Sequence, residues 1–261
     1  SYEEKIKTHN NSKLKYIPFK ANGIQSILYD IISLFLASKK ADTILVLGVS
    51  GCIILPIYRF FYRKKKLIIN IDGLEHRRKK WNKWIKRFLK LSESLAIKHA
   101  NEIIADNQGI LDYIESEYCC FSNLITYGAN HVKKNELTKQ IRQKYVLPNV
   151  YAFKVCRIEP ENNIHIILDA FSKIDFSLVI IGNWENSDYG KKLYNNYKKC
   201  KNIKLLQPIY NQDILNQIRS NSNIYIHGHS AGGTNPSLVE AMALGLPIVA
   251  FNVNYNKATT F

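Results

Sequence analysis

Acidic residues are scarce in this sequence: 21 Asp and Glu face 37 Lys and Arg over 261 residues, a formal charge of +16 at pH 7. Glycine (12) and proline (7) are too few for a fibrous repeat, and no solenoid-type period is visible. The five cysteines (52, 119, 120, 156 and 200) form no CxxC and no zinc-ligand spacing, and their odd count fits a reducing compartment better than a disulfide scaffold. Residues 1–12 are polar and charged, without the apolar core of a secretory signal. No zinc-finger, RNP or helix-turn-helix signature accompanies the positive charge. A long apolar run is missing too. Residues 44–62 come nearest, but Gly48, Gly51, Pro56 and Arg59 interrupt them. A strand, a glycine turn and a helix explain that segment better than a spanning helix of about 20 residues.

What is present argues for a folded chain of two modest domains or one large one. A hydrophobic fraction of 46% and 16 Tyr exclude a disordered tail. Short β-branched runs, such as TILVL at 43–47, KLIINI at 66–71, SLVII at 177–181 and NIYI at 223–226, alternate with helical periods. That rhythm, with strands apolar on both faces, predicts parallel sheets covered by helices. A polar seam at 132–151 divides the chain into expected domains 1–145 and 146–261. Both termini are expected to be incomplete: no apolar strand opens the first domain, and the strand at 247–251 is expected to lack its covering helix.

The charge is concentrated. Residues 59–90 hold 13 Lys and Arg against Asp72 and Glu75, which leaves +11 of the +16 in that window. Three readings stay open: attraction to anionic headgroups or a lipid pyrophosphate, attraction to nucleic acid, or a solvated helix face. Trp81, Trp84, Ile85, Phe88, Leu91, Leu95 and His99 mark one stripe of the longest helix. The stripe is expected to face the sheet, with Arg77–Lys80, Lys83, Lys86 and Arg87 turned to the membrane; the alternative has the aromatics dipping into the interface.

The richest stretch is 225–250, YIHGHSAGGTNPSLVEAMALGLPIVA. It reads as a strand, a glycine loop and a helix. Gly232 and Gly233 let backbone approach a ligand. Thr234 or Asn235 can cap the helix with Pro236 in its first turn, and the free N–H groups there suit a diphosphate. Glu240, a turn further on, is better matched to sugar hydroxyls than to phosphate. The same pattern could be only a tight turn with a solvated glutamate. Arg157, just after a strand, could hold a diphosphate with its forked donors or pair with Glu159 or Glu161. Asp72, Glu75 and His76 follow the strand at 66–71, where open α/β sheets place ligands; Asp72 or Glu75 could orient an acceptor hydroxyl or take its proton, and Asp72-Gly73 could equally be a turn. Gly48-Val49-Ser50-Gly51 is a weak signal on the same side. His227 and His229 have no clear third metal ligand.

The segment GGTNPSLVEAMALGLPIVA resembles the donor-binding segment of family-four retaining glycosyltransferases of the GT-B group. NIDGLEHRRKKW (70–81), LKLSESLAIKHANEIIAD (89–106), ITYGAN (125–130) and CRIEPENNI (156–164) extend the resemblance to the bacterial rhamnosyltransferase-like subgroup of capsular and cell-wall polysaccharide synthesis. The resemblance implies two Rossmann-like domains facing a cleft, the first for acceptor and the second for a dTDP-, UDP- or GDP-sugar. It implies retention, no catalytic metal, and the donor phosphate itself as proton acceptor. Arg157 would face the diphosphate, with Gly232, Gly233, Thr234, Asn235 and His229 lining phosphates and donor sugar, and Glu240 on the ribose. Two departures stand out. Gly232 occupies the place of the first of the family's paired glutamates, and Asn162 that of its usual lysine. The implied partners are a nucleotide-sugar, a lipid-pyrophosphate-linked glycan and an anionic membrane surface, not nucleic acid. The implied location is cytoplasmic, peripheral on the inner membrane face. The alternative is an inactive or truncated module that binds nucleotide or anions without turnover.

Overall fold

A computed structural model describes residues 5–19, 21, 23–78 and 81–260; Lys79 and Lys80 of the basic window lie outside them. The chain divides into two compact units. One comprises residues up to Ala105 together with Tyr113–Asn123, the other Asp106–Asp112 and the residues from Leu124 onward.

The first unit opens with a hairpin, β1 (Thr8–His9) and β2 (Ser12–Lys13). Asn10 and Asn11 both adopt positive φ (47° and 61°), as a two-residue hairpin turn requires. Next come α1 (Gln25–Ser38), β3 (Thr43–Leu47), α2 (Leu55–Phe61), β4 (Lys66–Ile71), α3 (Lys83–His99) and β5 (Glu102–Ala105), then α4 (Gln108–Tyr118), which belongs to this unit from Tyr113 on, and β6 (Asn123–Leu124), of which Asn123 does. The sheet runs β3-β4-β5-β6, with β3, β4 and β5 parallel. Leu67, Ile69 and Ile71 of β4 are buried, whereas Leu45 and Leu47 of β3 are exposed on one face.

Helix α3 turns a different face to the core from the one its apolar periodicity predicts. Asn82 caps this helix by accepting from the Ile85 N–H at 3.0 Å, but its buried side is Leu89, Ser92, Glu93, Ala96 and Ile97. Trp84 is 76% exposed and Leu91 53%, so the apolar stripe is not the core stripe. Small residues decide the face. Ser92 comes close enough to donate to the Val49 carbonyl at 2.6 Å, and buried Glu93 is satisfied by the Tyr113 and Tyr118 hydroxyls at 2.6 and 2.7 Å. A carboxylate and a serine at core positions are invisible to hydrophobic periodicity.

The second unit contains α5 (Lys139–Tyr145), β7 (Ala152–Val155), α6 (Ile164–Phe171), β8 (Leu178–Ile181), α7 (Asp188–Tyr197), β9 (Ile203–Leu206), α8 (Gln212–Ser220), β10 (Ile224–His227), α9 (Pro236–Ala243), β11 (Ile248–Ala250) and α10 (Asn254–Thr260). Its sheet is parallel throughout in the order β11-β10-β7-β8-β9. All four residues of β8 are buried, because one core cluster gathers around Trp184, Ile180 and Ile226 and another around Phe153, Val179 and Tyr225. The polar seam holds α5, and Leu137, Ile141 and Leu147 join the second cluster. Residues after β11 do form a helix, α10, contrary to the expectation of a bare final strand. Its Asn256 side chain donates to the carbonyls of His229 (2.9 Å) and Phe251 (2.8 Å). The strand order reverses between β7 and β10, and such a switch point opens a crevice at the carboxyl ends of the strands.

Candidate functional site

At that switch point the loops after β7 and β10 are laced together. Asn162, nearly buried, donates through Nδ2 to the Arg157 carbonyl at 2.8 Å and places Oδ1 3.1 Å from His229 Nδ1. Asn163 Nδ2 donates to the Gly228 carbonyl at 2.8 Å, and Ser230 donates to the Glu161 carbonyl through both N–H and hydroxyl at 2.9 Å. The loops press so close that a β-carbon at Gly228 would lie 2.4 Å from the Asn162 carbonyl oxygen. Arg157 and His229, 72 residues apart, are thereby fixed to one side chain. The Arg157 side chain is 73% exposed and its ion pair with Glu159 is long, at 3.9 Å, so the guanidinium faces solvent.

The glycine loop follows. Gly232 adopts φ +93°, a conformation costly for any other residue, and its β-position lies 3.5 Å from His229 Nε2. A β-carbon on Gly233 would fall 2.2 Å from Asp106 Oδ1. Thr234 is buried; its hydroxyl donates to the Asp106 carbonyl at 2.6 Å and accepts from Asn107 Nδ2 at 3.1 Å. Asn235 caps α9, accepting from the Ser237 N–H (3.1 Å) and hydroxyl (2.7 Å), with Pro236 beginning the helix. The side chains of Thr234 and Asn235 are thus spent on the loop's own shape, and backbone N–H groups are what the loop offers a ligand. A cavity of about 340 Å³ bounded by Thr126, Tyr127, Thr234, Val239 and Met242 adjoins it.

Glu240 is already engaged. Arg219, 1% exposed, reaches its Oε2 at 2.6 Å, and His131 Nε2 lies 2.8 Å from its Oε1. Sequence reasoning missed both partners. Arg219 carried one signal, an arginine adjoining the buried Leu215 and Ile218 of α8; His131, in the polar seam, carried none. Two further basic groups are buried in this unit. Lys154 is enclosed in β7 with its Nζ 3.4 Å from the Ile226 carbonyl, and burial lowers its pKa. The His227 ring is pushed down to about 3, by burial first and then by Lys154 and His229, so it is neutral.

In the first unit, the loops after β3 and β4 and the start of α3 enclose a cavity of about 560 Å³. Asp30, Asp72 and Glu75 line it with Arg78, and Trp81, Trp84 and Phe88 supply an aromatic wall. Ser50 donates to Asp30 Oδ2, which places part of the Gly48–Gly51 stretch here. Burial raises the Asp30 pKa against that hydrogen bond. Asp72 is raised by burial and by neighbouring Glu75, with Arg78 opposing. Arg78 bonds Glu75 Oε1, while the Trp81 indole N–H donates to Oε2 at 3.2 Å. His76 is drawn elsewhere, its Nδ1 3.0 Å from Glu93 Oε2. Burial pushes Glu93 upward, but the bonds from His76, Tyr113 and Tyr118 outweigh it and the net shift is downward. The geometry brings Asp72 and Glu75 together, adds Asp30, and leaves His76 outside the cavity wall. Among the described residues, no three His, Cys, Asp or Glu side chains cluster to hold a metal ion, and no helix is long and apolar enough to cross a membrane.

Comparison with known proteins follows the same division. Residues 3–130 match a family model described as a domain of unknown function, DUF1972. No curated protein sequence matches the chain. Alr3699/HepE from Anabaena, solved with UDP and glucose, aligns with TM-score 0.67 at 17% identity over 89% of this chain and 66% of that one. Its UDP-glucose complex aligns equally well over 84% and 62%. A UDP-GlcNAc 2-epimerase from Neisseria meningitidis, bound to UDP-GlcNAc, gives 0.60 at 18% identity over 93% and 68%. The chain thus spans just under two thirds of the length of the Anabaena protein. At such identities the likeness establishes the fold: two Rossmann-like parallel-sheet domains of the GT-B type, of which residues 138–259 match the family model described as Glycosyl transferases group 1.

Proposed function

We propose that the chain is the sugar-transferring part of an enzyme that uses a nucleotide-diphosphate sugar. The observation that carries this reading is the Asn162 lacing, which gathers Arg157, His229 and the Gly232–Asn235 loop at the switch point of the second unit. The exposed Arg157 and the backbone donors before α9 would hold the diphosphate, where charge develops as the glycosidic bond opens. His229 would stand at the donor sugar. Glu240, oriented by Arg219, would take ribose hydroxyls with the lone pairs those partners leave. In the first unit, aromatic rings and carboxylates lining one cavity suit a carbohydrate acceptor, with Asp72 or Glu75 on its hydroxyl. His76 would act there only by leaving Glu93. On this reading the expected acceptor and donor domains are 1–145 and 146–261. The finer assignments rest on resemblance: a retaining hexosyltransferase, L-rhamnose as the sugar, a lipid-pyrophosphate-linked acceptor for capsule or cell wall, and a peripheral position at the inner membrane face.

Calorimetric titration with UDP, dTDP and GDP tests the core of the proposal. At least one should bind, and Arg157→Ala should weaken it about ten- to hundredfold, as loss of a charged hydrogen bond implies. Unchanged affinity in that variant removes Arg157 from the site. A second reading, binding without turnover, draws on Gly232 standing where a glutamate is expected and on Asn162 being used as scaffold. Nucleotide binding with neither transfer nor epimerisation of the donor would favour it.

A further inference from the structure

The amino-end edge of the first unit's sheet, away from the cavity at the strands' carboxyl ends, carries an unassigned surface. The carboxyl ends of three helices meet there. Ser38, last in α1, bonds the Tyr58 hydroxyl of α2 at 2.8 Å. Arg59 of α2 donates to the carbonyl of His99, last in α3, through Nε (2.8 Å) and Nη2 (2.6 Å). From this braced platform Phe60 and Phe61 stand out, each 68% exposed, their rings edge to face at 5.2 Å; Ile57, one turn back from Phe61, is 56% exposed. Just past the ends of α1 and α2 and in the last turn of α3, Lys39, Lys40, Arg63, Lys64 and Lys98 are all exposed, and the Arg63 guanidinium lies 5.8 Å over the Phe60 ring. The acids Asp42 and Glu102 on this edge are paired, with Lys65 at 2.8 Å and Lys66 at 3.6 Å.

Cations at helix carboxyl ends are favourable in themselves, which accounts for some of the lysines. It does not account for a bare phenylalanine pair held out on an arginine-braced turn. Apolar rings within a cationic collar match one environment well: a bilayer surface, apolar beneath anionic headgroups. We infer that this tip is a membrane-docking surface, with Phe60 and Phe61 entering the headgroup boundary of an anionic phospholipid bilayer while the five cations engage its charge. A single-stranded polynucleotide stacks bases on open aromatic faces, but here the Arg63 guanidinium already covers one face of Phe60, the two rings stand edge to face, and exposed Ile57 beside them offers no stacking surface. The inference deepens the peripheral membrane position proposed above by naming the surface that would provide it, and it depends on no part of the nucleotide site. Vesicle binding and nucleotide titration are separate measurements, so either can fail alone.

The test is co-sedimentation of the full chain with phosphatidylcholine vesicles, with and without phosphatidylglycerol. Wild type should bind only the anionic vesicles. Phe60→Ser with Phe61→Ser should lower partitioning about tenfold or more, with an unchanged melting temperature because both rings are exposed. Changing Lys39, Lys40, Arg63 and Lys64 to Gln should lower it at least as much and flatten its salt dependence. Phe60→Trp should gain fluorescence quenching by brominated lipid beyond that of the native tryptophans. Wild-type partitioning by the serine variant, or no added quenching at position 60, overturns the inference. So does binding to an RNA oligomer with none to anionic vesicles.

Discussion

Replacing Glu240 by Gln should destabilise the second unit before it says anything about ligand. Arg219 is 1% exposed; among the described residues its Nε and Nη1 have no hydrogen-bond partner, and Glu240 supplies the ion pair it makes. Breaking a buried pair costs about 3–5 kcal/mol, because the surviving charge is left without compensation. Gln keeps an acceptor for Nη2, and the Glu240 side chain is 13% exposed, so water can help; the expected loss is about 2–3 kcal/mol. For a unit of this size that corresponds to a fall in melting temperature of about 5–10 °C. Arg219→Met removes the buried cation as well as its bond, so the double variant should be less destabilised than the two single losses added, by about 1–3 kcal/mol. Thermal and urea melts of the four proteins measure this. Strict additivity, or a Glu240→Gln melt equal to wild type, would refute the reasoning. Nucleotide affinities of these variants should be compared well below the lowered melt.

The other predictions can be checked on the same melts. His227 has a folded pKa of about 3 against an ordinary 6.5. The unfolded chain therefore binds a proton that the folded one refuses between those values, and stability falls as pH drops through that window, by up to about 5 kcal/mol. His227→Phe should flatten this acid slope, and an unchanged slope would count against the assignment. Gly233→Ala places a β-carbon 2.2 Å from Asp106 Oδ1, so it should cost about 2–4 kcal/mol and impair nucleotide binding; a neutral outcome in both would mean the loop yields freely. Val146 closes α5 at φ 50°, ψ 50° and is 63% exposed. Val146→Gly should relieve the left-handed strain and raise stability by about 0.5–1.5 kcal/mol, an effect that a lower melting temperature would contradict.

The alternation of strands and helices was legible because both faces of β4 and β8 are buried, and continuous apolar runs report that directly. The cap of α9 was legible to within one residue, Thr234 or Asn235, with Pro236 in the first turn; Asn235 is the one that caps. The face of α3 was not, because its core positions include Ser92 and Glu93, whose burial depends on partners in the Val49 turn and on Tyr113 and Tyr118. At the site, the glycine loop and Arg157 announced themselves by residue type. Arg219 and Asp30 did not, because each gains its role from a contact across 20 or more positions, and no local pattern encodes the distance between Arg219 and Glu240 or between Ser50 and Asp30. The seam helix α5 was obscured by its charge; its few apolar residues face the core.

The Asn162 clasp has a consequence for redesign. The position where related enzymes are expected to carry a lysine is here turned inward, holding the Arg157 carbonyl and the His229 ring at once. Asn162→Lys would therefore not restore a missing cation to the ligand side. It would drive an ammonium into a closed space and release both loops together. Supplementing the charge of Arg157 means starting from a side chain that already faces outward and leaving the clasp shut.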